Sequence, residues 1–182
     1  GHFAVECFGQ VQDNVSIGYY AMQKGDNIIG TVAVGRNASQ GNGNLVCNYQ
    51  SVAIGAYAHA QVINGSADIM IGRCAGYYAY CGNSNIGIGS AAFRSGVYCT
   101  AGQTRRNTAI GLVAMHCSVN SADNIVIGTC AGMRLGNTTT TCGCDNVLIG
   151  TGAGTCACIG CSLGTAKLTG NCSNQIITSK HR

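Results

Sequence analysis

The chain has 182 residues, and only 9% of them are charged, against roughly 25% in an ordinary soluble domain. There are 28 glycines, no proline, no tryptophan and a single glutamate, Glu6, and the net charge is +4. Low charge with abundant Val and Ile excludes disorder, no apolar run approaches the ~18 residues of a membrane helix, and a few scattered Lys and Arg argue against a nucleic-acid groove.

The sequence starts at Gly1 without methionine and lacks the basic, apolar, small-residue order of a signal peptide, as expected of a processed or excerpted segment. Residues 1–13 are expected to form an N-terminal cap or the end of an upstream coil. From Asn14 to about Gly154 one unit is then repeated without a linker. Its strand-forming pieces are 14–18, 31–35, 51–55, 68–72, 85–89, 107–111, 124–128 and 146–150. Each ends in glycine: Gly18, Gly35, Gly55, Gly72, Gly89, Gly111, Gly128 and Gly150. These glycines are 17, 20, 17, 17, 22, 17 and 22 residues apart, and alanine follows three residues after each one. A period near 20 residues is the mark of a solenoid. The fold class expected is therefore all-β, a parallel β-solenoid or β-roll of about eight coils.

Within each unit the second and fourth positions, from Val15/Ile17 to Val147/Ile149, are all β-branched and, apart from Thr108, aliphatic. Alternation of this kind predicts a short strand with these two columns in the core. The residue between them (Ser16, Ala33, Ala53, Met70, Gly87, Ala109, Val126, Leu148) is small or apolar. That opposite face is thus expected to be covered as well, most simply by another chain. The glycine makes a structural turn at a sharp corner, and the alanine sits where a larger side chain would foul the next coil. Gly/Asn/Ser sequences between the units supply turns. The longer intervals place extra residues in loops at 37–50, 94–106 and 133–145, the kind of insertion that carries binding in solenoids. Residues 155–182 lose the glycine and read as an atypical Cys-rich terminal coil or a junction, with 174–178 resembling a ninth strand.

Thirteen cysteines indicate an oxidising setting, and the odd count leaves one thiol free or bonded to another chain. Cys74 and Cys130 share a register three coils apart, ~14 Å at the strand spacing, too far for a bridge within one chain. Cys81 and Cys99 fall at similar offsets in adjacent coils and are the candidate disulfide. Cys156, Cys158 and Cys161 have metal-ligand spacing, although a disulfide-rich terminal coil accounts for them equally. Asp13, Asp26, Asp68, Asp123 and Asp145 stand just ahead of strands, where turn capping is the simpler alternative to calcium binding. Sequons occur at Asn14, Asn37, Asn64, Asn137 and Asn171. The histidines are dispersed and no nucleophile recurs beside them, so neither an enzyme nor a cofactor is expected. Tyr77, Tyr78 and Tyr80 with Arg73 form a candidate contact surface for glycan or protein, or a packing surface between chains.

Units such as Asn107-Thr108-Ala109-Ile110-Gly111-Leu112-Val113-Ala114 resemble the head repeats of bacterial trimeric autotransporter adhesins and the repeats of tail-fibre-like proteins of phages and large viruses. The resemblance spans about 14–154, and its longer period suits the viral group better; the cysteine content departs from both. It implies a homotrimeric rod and carries over no catalytic residue. The function expected is a structural segment of an attachment fibre or adhesin on a virion or extracellular surface, presenting a receptor-binding region to a host receptor or glycan. The alternatives are a glycan- or protein-binding solenoid module using loops 94–106 and 133–145, and a filament that assembles end to end.

Overall fold

A computed structural model of the chain describes residues 4–5, 9–24, 27–41, 47–62, 64–79, 82–94, 104–118, 121–135 and 143–154, together with strand backbone at 162–163, 166–167, 172–173 and 176–178. Two nine-stranded parallel sheets run through it. The first, sheet A, has one two- or three-residue strand per coil, beginning with Val11–Gln12, Asn27–Ile29 and Cys47–Tyr49. The second, sheet B, contains the strands read from the sequence, from Val15–Ile17 to Val147–Ile149, and continues to Ile176–Thr178. Register is kept throughout: Ile86 pairs with Ile69 and Thr108, and Ile125 with Val147. The chain is a parallel β-solenoid. Because Val11 and Gln12 pair with Ile28 and Ile29, the first coil begins before Asn14. Ile176–Thr178 pairs with Val147–Ile149, so a ninth strand does form.

Local backbone geometry sets the coil outline. Sheet A meets sheet B at a corner residue of positive φ in every copy: Asp13, Gly30, Gln50, Ala67, Ser84, Arg106, Asp123 and Asp145. At the far end of the sheet B strand the glycine column has φ between +121° and +140°. A Cβ on Gly55 would lie 2.7 Å from the Gly72 carbonyl oxygen, so a side chain is excluded by the next backbone as well as by φ. The turn that follows has positive φ again at its second and fourth residues, for example Tyr57 and His59, Val113 and Met115. Such residues cost about 1 kcal/mol each outside glycine, and the stack of coils holds them there. In the turn, N–H groups bond alternately to the coil before and the coil after. Tyr57 N donates to Arg36 O at 2.9 Å, whereas His59 N donates to Ala75 O at 2.7 Å. The turn is thus a ladder in its own right, with backbone donors at its second and fourth residues paired to neighbouring coils.

The core inverts one expectation. The β-branched columns face outward, with Ile17 57%, Ile125 45% and Ile149 44% exposed. The central strand residue points in: Ala33, Ala53, Met70, Ala109, Val126 and Leu148 are at most 1% exposed. The cover for this inner face comes from the coil's own turn and not from another chain. The repeated alanine, from Ala21 to Ala153, is buried beneath it. The cause is width. A three-residue strand between two corners places only its middle side chain inside, and the returning turn approaches so closely that volume must be shared.

That sharing is visible six residues apart. Where the strand centre is large, the fourth turn residue is glycine: Met70/Gly76, Val126/Gly132, Leu148/Gly154. Where the centre is small, that residue is large in four coils, Ser16/Met22, Ala53/His59, Gly87/Phe93 and Ala109/Met115, whereas Ala33/Ser39 is small at both positions. Van der Waals contact enforces the rule, since a Cβ on Gly76 would lie 2.7 Å from Met70 Sδ and one on Gly132 would lie 2.9 Å from Val126 Cγ1.

Candidate functional site

The residue before each sheet B strand is a polar rung, half-buried at Asn14 and buried at Thr31, Ser51, Asp68, Asn85, Asn107, Asn124 and Asn146. Asn107 Oδ1 accepts from Asn124 N at 3.1 Å and Nδ2 at 2.8 Å, and Asn124 Oδ1 accepts from Asn146 N at 3.0 Å and Nδ2 at 2.9 Å. The amide donors also reach sheet A: Asn107 Nδ2 donates to Ser121 O at 2.9 Å. In the coils of Asn85, Asn107 and Asn124 one amide therefore ties both sheets and the neighbouring coil, which is how a buried polar column is tolerated there. Asp68 is the exception in charge. Its Oδ1 accepts from Asn85 N and Nδ2, and its Oδ2 lies 3.2 Å from His59 Nε2, with both side chains fully buried. These polar groups are enclosed within the coil stack, so the ladder holds the rod together and offers no surface to a ligand.

Outside, two surfaces differ sharply. The outer face of sheet B presents the paired Val/Ile columns along the rod, among them Val15, Ile17, Ile54, Ile88, Ile125, Ile127 and Ile149. A contiguous apolar face of this kind marks an interaction surface. Beyond the glycine column, the turn edge contains Lys24, Arg36, Arg73, Arg94 and Arg134, all exposed, beside exposed Tyr19 and Leu112, and no Asp or Glu from the corner glycine to the sixth residue after it in any coil. The corner between the sheets instead holds Asp13, Asp123 and Asp145, with Arg105 and Arg106. Arg106 donates to both carboxylate oxygens of Asp123 at 2.6 and 2.7 Å. That pair holds the Asp123 carboxyl below, and the Arg106 guanidinium above, the ordinary values.

On the turn edge one stripe uses a residue from each of six successive coils: Arg36, Tyr57, Tyr77, Arg94, His116 and Arg134. Arg36 Nη2 donates to Tyr57 Oη at 2.6 Å, and its guanidinium carbon lies 5.2 Å from the Tyr57 ring centre. Tyr57 meets Tyr77 edge to face at 6.2 Å, Tyr77 meets Tyr78 at 4.3 Å, and Arg94 lies 5.6 Å above the Tyr77 ring. Each cation–ring contact at such a partly wet site contributes about 0.5–1 kcal/mol. Burial, and then the Tyr78 hydroxyl, push the Tyr77 phenol up to about 12. Burial, with Arg94 and Arg134 on either side, lowers the His116 pKa below that of a free imidazole.

The sequence-predicted sites are thus sorted. All eight corner glycines occupy the turn they were assigned. Tyr77 and Tyr78 do form a cluster, but with Tyr57 and Arg94; Arg73 stands exposed at the near end of the same edge. Tyr80, Cys81, Cys99, Cys156, Cys158 and Cys161 lie outside the described residues, as does most of the loops 94–106 and 133–145. Cys74, Cys117 and Cys130 are free, half-buried thiols, Cys144 is also half-buried, and Cys117 Sγ lies 3.0 Å from His116 Nδ1. Of the described sequons, Asn14 and Asn37 have their amides engaged with Ile28 O and Gln40 Oε1, while Asn64 is exposed on a strand of sheet A. Arg36, Tyr57 and Arg134 were missed, and the available signal was the absence of acids from the turn edge. No family model matches the chain, and no curated protein or solved structure matches it.

Proposed function

We propose that this chain is a structural segment of a trimeric attachment fibre or adhesin, on a virion or cell surface, that holds a receptor-binding region away from its base. The observation that carries the reading is the exposed outer face of sheet B. Two columns of β-branched side chains run its length, with Ile17 57% and Val15 47% exposed. Fully burying one such side chain contributes ~1.5–3 kcal/mol, and each coil repeats the same contact, so association grows with the number of coils. Parallel copies packed through this face make a rod, and the number three follows from the adhesin and fibre repeats that the sequence resembles.

The measurement is light scattering on the purified protein. A mass three times the 18.5 kDa of one chain is expected, and Ile127→Lys with Ile149→Lys should reduce it to one chain without loss of strand signal. A stable wild-type monomer would overturn the reading. The alternative, a binding module, is favoured by the arginine–tyrosine stripe; on that reading attachment is lost when the stripe or the two long loops are removed and persists when the outer face is changed.

A further inference from the structure

We propose that the stripe formed by Arg36, Tyr57, Tyr77, Arg94, His116 and Arg134 binds a linear polysaccharide bearing sulfate or carboxylate groups, laid along the rod axis. The inference is independent of how many chains make the rod, because each chain carries the whole stripe.

Three observations carry it. The first is charge segregation. The exposed cations Lys24, Arg36, Arg73, Arg94 and Arg134 share an edge whose turns contain no carboxylate, while Asp123 and Asp145 stand at the other corner and Asp123 is already paired with Arg106. Burial first, and then Arg94 and Arg134, lower the His116 pKa, so both guanidinium groups bear on the same imidazole. Among the described residues no turn-edge carboxylate offsets these cations, so an anion in this place would be drawn to them.

The second is geometry. One residue per coil at the ~4.8 Å strand spacing gives a row of six that rises about 24 Å along the stack while crossing the turn obliquely, from the first residue after the glycine at Arg36 to the sixth at Arg134. Such a row fits an extended chain carrying repeated anions better than a compact ligand. Arginine supplies planar forks that match the oxygens of sulfate and carboxylate. The Tyr77 phenol, raised to about 12, stays protonated and adds no negative charge to the row.

The third distinguishes a polysaccharide from a nucleic acid. Single strands gain affinity by stacking bases on open aromatic faces. Here guanidinium groups stand over the rings, Arg36 over Tyr57 and Arg94 over Tyr77, and Tyr77 is further packed by Tyr57 and Tyr78. What remains is a line of N–H and O–H donors with positive charge, suited to anionic groups carried on sugar rings.

The test uses the full chain with four immobilised probes: heparin, hyaluronan, neutral dextran and a single-stranded polynucleotide. Retention on heparin or hyaluronan that weakens as salt rises, with none on dextran, is expected; heparin alone would identify sulfate as the group recognised. Arg36→Gln with Arg94→Gln and Arg134→Gln should lower that affinity at least tenfold, while Arg105→Gln, off the stripe, should leave it unchanged. All four positions are exposed, and circular dichroism of each variant verifies the fold. Equal loss from Arg105→Gln, stronger retention on the polynucleotide, equal retention on dextran, or no retention on either anionic polysaccharide would each overturn the proposal.

Discussion

The two sides of the same three-residue strand follow opposite rules. On the outside, the residue type is nearly constant and the environment is open: Val or Ile at both positions in almost every coil, many of them more than a third exposed. On the inside, the residue varies from glycine to methionine and leucine, yet the position is closed everywhere except in the first coil. Constancy here belongs to the surface, and variation belongs to the core. In seven of the eight coils the inner position can vary because a second residue, six positions later, absorbs the change in volume; Ala33/Ser39 is the exception. The outer position has no such partner within the chain, and its constancy is what a repeated contact with something outside the chain requires.

Substitution at adjacent residues tests this contrast most severely. Leu148→Ala, on the inside, should cost about 2–4 kcal/mol in urea unfolding, whereas Ile149→Thr, one residue along, should cost no more than about 0.5 kcal/mol in the isolated chain. Similar losses at both positions would mean that the outer face is not open in the protein. The next test exchanges partners within one coil. Gly132→Phe alone should overpack Val126 by about 1–3 kcal/mol, and Val126→Gly alone should leave a void. Combined, they reproduce the Gly87/Phe93 arrangement, and the double variant should recover at least ~1 kcal/mol of the summed loss in a double-mutant cycle. Simple additivity would dissolve the idea of compensation.

A smaller effect separates strain from packing. Val113 is β-branched at φ +60°, a conformation that glycine adopts without penalty. Val113→Gly should therefore raise stability by up to about 1 kcal/mol in thermal melts, while the outer Val34→Gly should lower it. The smallest effect is on pH dependence. His116 has a folded-state pKa below its unfolded value of ~6.5, so the unfolded chain binds the proton more readily. Its contribution is present in full above pH ~6.5 and is lost as pH falls through the folded value. His116→Gln should flatten that part of the stability profile between mildly acidic and neutral pH.

Much of this architecture was legible because it repeats. The glycine and alanine columns, the strands and the parallel stacking all follow from a spacing kept through eight copies. The inside–outside assignment was not legible. A period of two says which side chains share a face and is silent on which face is buried; ordinarily the polar face decides, and in a chain with so few charges neither face is polar. Met70/Gly76 and Gly87/Phe93 held the answer, since only side chains in contact have reason to trade volume. The buried role of Asn107 and Asn124 was likewise hidden, because asparagine before a strand is usually a turn residue. The stripe escaped for a different reason. The stripe crosses the turn obliquely, so Arg36, Tyr57 and Tyr77 stand one, two and five residues after their glycines, and no fixed interval in the sequence connects them.

The bonds that join one coil to the next, in both sheets, in the turn and along the asparagine ladder, point along the rod. A pull on its two ends therefore loads each boundary in series, and the weakest boundary opens alone. Every opening releases one coil, about 17–22 residues, or roughly 55–80 Å of extended chain at ~3.3–3.6 Å per residue. Under tension such a segment behaves as a ratcheted tether, lengthening in nearly equal steps while the coils that remain stacked keep their shape.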